Sequence, residues 1–162
     1  MRLVVTDANI IIDLDAAGLL EEIFRLPDME FCCPDVLYLE ELAERYGALP
    51  GLGLKVLSQP PEAVEYVTEL RQHFRRPSTN DLFALVLAQS LGCALLTGDS
   101  SLRAAAEVKG VEVHGTIWLV EALLESRLVL VERMDAAYEA MRRDGSRLPW
   151  DEVRAQMRRW QA

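Results

Sequence analysis

Five short apolar runs, spaced along the chain by segments of helical period, constrain the fold more than any other feature: Leu3 to Thr6, Phe31 to Cys33, Lys55 to Leu57, Cys93 to Thr97 and Val111 to His114. In most of them apolar or β-branched side chains fill successive positions rather than alternate ones, as expected of strands buried on both faces. Such strands run parallel, and parallel neighbours must be joined by crossovers of about a dozen residues or more, usually helices. The predicted fold class is therefore α/β, a three-layer α/β/α arrangement around a mainly parallel central sheet. A length of 162 residues suits one hydrophobic core.

The crossover segments carry helix signals. Ile10 to Leu20 and Leu19 to Leu26 suit short helices, the second stopping before Pro27. Pro34-Asp35 opens a helix predicted to run to Tyr46, with Val36, Leu39, Leu42 and Ala43 on one face and Gly47 closing it. Glu62 to Phe74 turns Ala63, Tyr66, Val67 and Leu70 inward, and Ser78-Thr79-Asn80-Asp81 offers capping residues to an apolar helix that ends near Gly92. Helices also follow at Leu102 to Val108 and Ile117 to Ser126, and Leu128 to Val131 reads as one more extended run. Past Glu132 the composition changes to two amphipathic helices, so residues 1–131 form the predicted domain and 132–162 a helical C-terminal extension packed on it or on a partner.

Several function classes are disfavoured by composition. No apolar run approaches the ~20 residues a membrane span needs, and Leu3-Val4-Val5 is too short for a secretory core, so a cytoplasmic protein is expected. Cys32, Cys33 and Cys93 are too few and too poorly spaced for a disulfide framework or a zinc site. A net charge of -9 argues against coating nucleic acid by bulk charge, but acids gathered in one pocket are compensated by divalent cations while bases elsewhere still face phosphate.

Asp7 and Asp99 each stand at the end of an apolar run, and in open parallel sheets the carboxyl ends of the strands border the ligand crevice. Asp81 opens an apolar helix and Glu41 lies in a helix after another strand, so both can reach that edge. Singly, each Asp is equally well explained as a helix cap. Together, converging carboxylates stay ionised only when cations compensate them, and hard oxygen ligands suit Mg²⁺ or Mn²⁺. Such cations polarise a phosphodiester and acidify water, with no nucleophilic side chain required; His73 and His114 are assigned no catalytic part.

Thr6-Asp7-Ala8-Asn9-Ile10-Ile11, Glu41-Leu42, Ser78-x-x-Asp81 and Leu96-Thr97-Gly98-Asp99-Ser100-Ser101-Leu102 resemble, in order and separation, the four motifs of PIN domains. The resemblance covers roughly residues 1 to 131. It implies an Mg²⁺- or Mn²⁺-dependent ribonuclease of the PIN fold, possible as the toxin of a toxin–antitoxin pair, with Asp7, Glu41, Asp81 and Asp99 as both metal-holding and catalytic acids. Asn9 and the hydroxyl of Thr97 or Ser100 would orient ligands or bound waters from behind them. Glu40 and Glu41 are about 100° apart on an α-helix, so only one faces the pocket; Glu41 is chosen because Leu42 follows it as in the family pattern. Some relatives carry a fifth acid after the last motif, where this chain has Arg103 and Ala104. The tail, with Gly115-Thr116 opening the helix before it, resembles a PIN subgroup described as predicted nucleic-acid binding.

Arg71, Arg75 and Arg76 precede the Asp81 motif, and Arg142, Arg143, Arg147, Arg154, Arg158 and Arg159 crowd the tail; these either hold RNA phosphates, with Arg75 and Arg76 the foremost contacts, or are solvated helix faces. Trp150, Val153, Met157 and Trp160 recur at helical spacing; they pack the tail on the core, or their arginine-rimmed face serves a homodimer or an antitoxin helix. The partners implied are thus RNA, an antitoxin protein and a second copy of the chain, with no membrane. The alternative is a PIN-fold module that binds RNA or protein without cutting. A receiver- or phosphatase-type phosphoryl-transfer domain ranks last, because neither Lys55 nor Lys109 falls at a predicted strand tip.

Overall fold

The computed structural model describes all 162 residues. Its centre is a five-stranded sheet in the order β3-β2-β1-β4-β5, built from β1 (Arg2–Thr6), β2 (Met29–Pro34), β3 (Lys55–Leu57), β4 (Ala94–Leu96) and β5 (Val113–His114). Every pairing is parallel, with Val4 opposite both Phe31 and Ala94, so the sheet is wholly rather than mainly parallel. Val4, Val5, Phe31, Cys32, Leu95 and Leu96 are buried, as strands covered on both faces must be. No helix is long and apolar enough to cross a membrane.

The strand order sets the site. From β1 the chain steps outward to β2 and β3, then returns to place β4 on the other side of β1. The crossovers therefore diverge at the carboxyl ends of β1 and β4, the kind of switch point where open α/β sheets form a crevice. Between β1 and β2 come α1 (Ala8–Ala16) and α2 (Leu20–Ile23); α3 (Asp35–Leu37) and α4 (Leu49–Leu52) precede β3; α5 (Pro61–His73) and α6 (Thr79–Leu91) lead to β4. Between β4 and β5 lies α7 (Ser100–Val108), and α8 (Thr116–Glu125), α9 (Val131–Arg143) and α10 (Trp150–Gln161) complete the chain.

Three expectations are corrected. The helix after β2 is not a continuous α-helix: α3 passes into a π-helical turn, Tyr38–Leu42, in which Ala43 N donates to Tyr38 O at 2.7 Å. The wider turn shifts the buried face to Leu37, Tyr38, Leu42 and Tyr46, and leaves Leu39, expected inside, 68% exposed. Leu128 to Val131 is not a strand, because the backbone N–H groups of Leu128 and Val129 both donate to Leu123 O and close α8, with Arg127 at φ 59°. Finally, helix α7 begins at Ser100, two residues before the predicted Leu102, because Asp99 caps it.

The last two helices share the main core: Met134, Ala137, Met141, Val153 and Met157 belong to the same buried cluster as the strands. Glu121 on α8 holds α10 in place by accepting from Gln156 Nε2 at 2.8 Å and Trp160 Nε1 at 3.1 Å, with Arg159 at 3.3 Å. Burial alone would raise the Glu121 pKa, but these three donors outweigh it and hold the carboxylate below its ordinary value. Packing on the core thus accounts for the helical spacing of the tail's apolar residues. Trp118 is likewise engaged within the chain, stacked on His114 at 4.1 Å. Cys32 and Cys33 are free and buried, their thiols pushed up to about 12 by desolvation.

Candidate active site

Asp7 and Asp99 arrive from adjacent strands, one residue past β1 and three past β4. Each is an N-cap: Ile10 N donates to Asp7 Oδ1 at 3.0 Å, and Leu102 N to Asp99 Oδ1 at 2.9 Å. Asp81 stands in the first turn of α6 within a capping box, Ser78 N donating to its Oδ2 at 3.2 Å while its own N–H donates to Ser78 Oγ at 3.0 Å. The capping reading of each Asp is therefore correct as far as it goes. It engages one oxygen of each carboxylate, which retains acceptor capacity, and it brings three helix N-termini, with their positive dipole ends, to one sheet edge.

What capping does not explain is the mutual proximity. Asp7 feels the charge of Asp81, Asp81 that of Asp99, and Glu41 that of Asp81. None of the four forms an ion pair with a base. Asp81 is thus electrostatically coupled to each of Asp7, Asp99 and Glu41, but no three of the acids stand together as a metal-holding group, and Asp99 and Glu41 border separate hollows.

Their environments differ sharply. Asp7 is 0% exposed, and burial, only partly offset by hydrogen bonds from Thr97 and Ile10, raises its pKa from 3.8 to about 7. Burial also raises Asp81 and Glu41, and neighbouring acids add to it. Asp99 goes the other way: its burial is outweighed by donors from Ser101 and Leu102, which hold it below its ordinary value. The two strand-tip acids therefore differ: hydrogen-bond donors favour the ionised form of Asp99, whereas burial disfavours it for Asp7.

The remaining expected residues are placed as follows. Thr97 is buried between the two key acids, donating to Asp7 Oδ2 at 2.5 Å and accepting from Asp99 N at 3.0 Å. Of the alternative hydroxyls, Ser100 is exposed without a side-chain hydrogen bond, and Ser101 instead donates to Asp99 Oδ1 at 2.5 Å. Asn9 is exposed and lines a hollow with Asp99. Glu40 and Glu41 both border a second hollow beside Asn80, whose Nδ2 donates to Glu40 Oε2 at 2.8 Å and which also draws the Glu41 pKa down. That hollow contains none of the three aspartates, and of the two glutamates it is Glu41 that feels the charge of Asp81. Arg75 and Arg76 are exposed and enter no ion pair.

A family model, DUF3368, described as a PIN domain, matches residues 3–162. This chain belongs to the PIN-domain family. The match runs through the last two helices as well as the four motifs. Solved structures agree on the fold. The chain is similar to a PilT N-terminus domain protein from the archaeon Sulfolobus solfataricus, at 18% identity and a TM-score of 0.53, covering 76% of this chain and 95% of that one. It is similar to PAE2754 from Pyrobaculum aerophilum at 21% identity and a TM-score of 0.52, covering 75% of this chain and 96% of that one. No curated protein matches the sequence. PIN domains are generally of nuclease type and usually use divalent metals.

The donor set of this PIN domain fits such a metal in kind, all hard oxygen ligands without a direct ion pair, although Arg71 lends Asp81 some positive charge. In spacing it is open, since no three His, Cys, Asp or Glu side chains stand together as a ready-made metal cage.

Two contributors to this PIN site were missed by sequence reasoning. Arg71, grouped there with possible phosphate contacts, instead donates to the carbonyl oxygens of Phe74, Arg75 and Pro77 and to Thr79 Oγ1, shaping the loop that delivers Asp81. Its basic type near a helix C-terminus was the available signal. The segment Asp144–Leu148, between α9 and α10, borders the Asp99 hollow; the sequence marks Arg147 only as one of several tail arginines, and nothing local places it beside Asp99.

Proposed function

We propose that this chain is a divalent-cation-dependent ribonuclease acting at the edge formed by Asp7, Glu41, Asp81 and Asp99. The observation that carries this reading is Asp7: a fully buried carboxylate, at the switch point of the sheet, beside other acids and without a cationic partner. Burying a carboxylate without a cationic partner is costly even when it is hydrogen-bonded, and such perturbed carboxylates gather at functional sites. Asp7, Asp81 and Asp99, with Glu41, would hold Mg²⁺ or Mn²⁺. The bound cation would supply Lewis acidity to the phosphodiester and lower the pKa of the attacking water.

The chain's own residues do the rest. Thr97 fixes the Asp7 carboxylate and, by accepting from Asp99 N, the angle between the two strand tips. Ser101 keeps Asp99 ionised and oriented. Asn9 presents an exposed amide to the substrate side, and Arg75 and Arg76, free of ion pairs beside the Asp81 turn, are available to backbone phosphates. The test is cleavage of single-stranded and structured RNAs with Mn²⁺ by the wild type, Asp7→Asn and Asp99→Asn. Loss in both variants is expected; cleavage surviving both removes the reading. A toxin role belongs to the same proposal, with an antitoxin and a second copy as partners. Expression should then arrest growth, and Asp7→Asn should relieve it.

A second reading, a PIN module that grips RNA without cutting, draws support from the open spacing of the acids. Calorimetric titration with Mn²⁺ separates the two, since heat of binding that Asp7→Asn abolishes belongs to the nuclease reading alone.

A further inference from the structure

We propose that the Asp144–Leu148 loop is a wall of the substrate site, and that Arg147 on it takes a backbone phosphate of the RNA strand beside Asp99. This rests on the nucleic-acid reading above and adds a contact from a part of the chain that carries none of the four motifs. A hollow of about 370 Å³ is bordered on one side by Asn9, Gly98 and Asp99 and on the other by Asp144, Ser146 and Arg147. That volume lies in the range of small-ligand clefts, about 300–1,000 Å³, so a nucleotide-sized group can enter.

The loop is held in place at both ends. Gly145, at φ +91°, donates through its N–H to Arg142 O at 3.1 Å, and Ser146 N donates to Met141 O at 3.0 Å, which closes α9. Leu148 is buried at the other end. Between them Ser146 Oγ donates to Asp13 Oδ1 at 2.6 Å, while Thr116 Oγ1 lies 3.5 Å from Asp13 Oδ2. Asp13, one helical turn beyond Asn9 on α1, is thereby committed to latching the loop.

Arg147 is the only base among the residues bordering the hollow. It is exposed and makes neither an ion pair nor a hydrogen bond, although Asp13, Asp99 and Asp144 border the same space. A guanidinium without a partner, on a fixed wall, is suited to bidentate capture of a phosphate. Such a contact sets the register of the strand and reads no bases.

The test measures binding of a fluorescein-labelled, mixed-sequence, single-stranded RNA by anisotropy with Ca²⁺, and cleavage kinetics with Mn²⁺. Arg147→Glu should weaken binding about tenfold and lower the slope of log affinity against log salt by about one. KM should rise with kcat moving far less. Arg147→Lys should restore most of the affinity, and Ser146→Ala should raise KM where Ser146→Thr does not. Melting temperatures of the Arg147 variants should match the wild type, because the side chain has no partner to lose; Arg147→Gln serves if the charge reversal fails to fold. Unchanged affinity and salt slope in Arg147→Glu, or a wild type that binds no RNA, overturns the proposal. A chain that binds through Arg147 but cuts nothing keeps the wall and loses the nuclease reading, and cleavage indifferent to Arg147→Glu does the reverse.

Discussion

Thr97 Oγ1 donates to Asp7 Oδ2 at 2.5 Å, joining two residues 90 positions apart and tying the tip of β4 to the tip of β1. The same oxygen accepts from Asp99 N at 3.0 Å, so one hydroxyl sets the relation between the two strand-end acids.

Replacing Thr97 by Val removes that donor while keeping the shape. The buried Asp7 oxygen left without its partner should cost about 1–3 kcal/mol in urea unfolding. Because the Thr97 bond is what most offsets burial, the Asp7 pKa should climb further. Activity should fall about 10- to 100-fold, as when a group supporting a metal ligand is lost. Thr97→Ser should retain activity; a Val variant cutting as fast as the Ser variant speaks against the hydroxyl's part.

Asp7 also sets a pH dependence of stability in the absence of metal. Its folded pKa of about 7 exceeds the ordinary 3.8, so between those values the folded chain holds a proton that the unfolded chain releases. Stability should be highest below pH 4 as far as this group is concerned, and fall as pH rises to 7 and slightly beyond. The full penalty is about 4 kcal/mol. Asp7→Asn should therefore be more stable than the wild type at pH 8 and similar at pH 4, by thermal unfolding in EDTA. Adding Mn²⁺ should narrow the gap at pH 8 by stabilising the wild type alone.

Glu40 and Glu41 share a hollow, and the Glu41 pKa is raised, with burial the leading cause and Asp81 contributing. Glu41→Gln should lower Mn²⁺-dependent cleavage by roughly an order of magnitude, and Glu40→Gln by much less. Equal losses would make the pair a single shared ligand.

Arg71 organises the turn before Asp81 through four acceptors, with 3.1 Å bonds to Arg75 O and Thr79 Oγ1 among them. Arg71→Ala should destabilise by about 1.5–3 kcal/mol and slow cleavage through a displaced Asp81. Arg71→Lys should not rescue, because one ammonium cannot serve acceptors spread over Phe74 to Thr79.

Much of the fold was legible. The five strands and most of the helices fall where the apolar runs and the 3.6-residue period put them, and Asp7, Asp81 and Asp99 stand at the strand ends and helix starts assigned to them. The capping box at Ser78 and Asp81 is a local signal and appears as expected. Leu39 and the 128–131 run were misread because a π turn and a left-handed Arg127 leave no mark in hydrophobic spacing.

By itself the sequence determined the class of fold, the order of its elements and the position of each acid within its element, because those follow from side-chain period and capping within a few residues. Only the tertiary structure decided that β4 returns beside β1, that Thr97 bridges Asp7 and Asp99, that Ser101 rather than Ser100 holds Asp99, and that Ser146 latches onto Asp13. Most of those contacts join residues remote in sequence. They are set by how whole layers bury their apolar faces together, which no local pattern encodes.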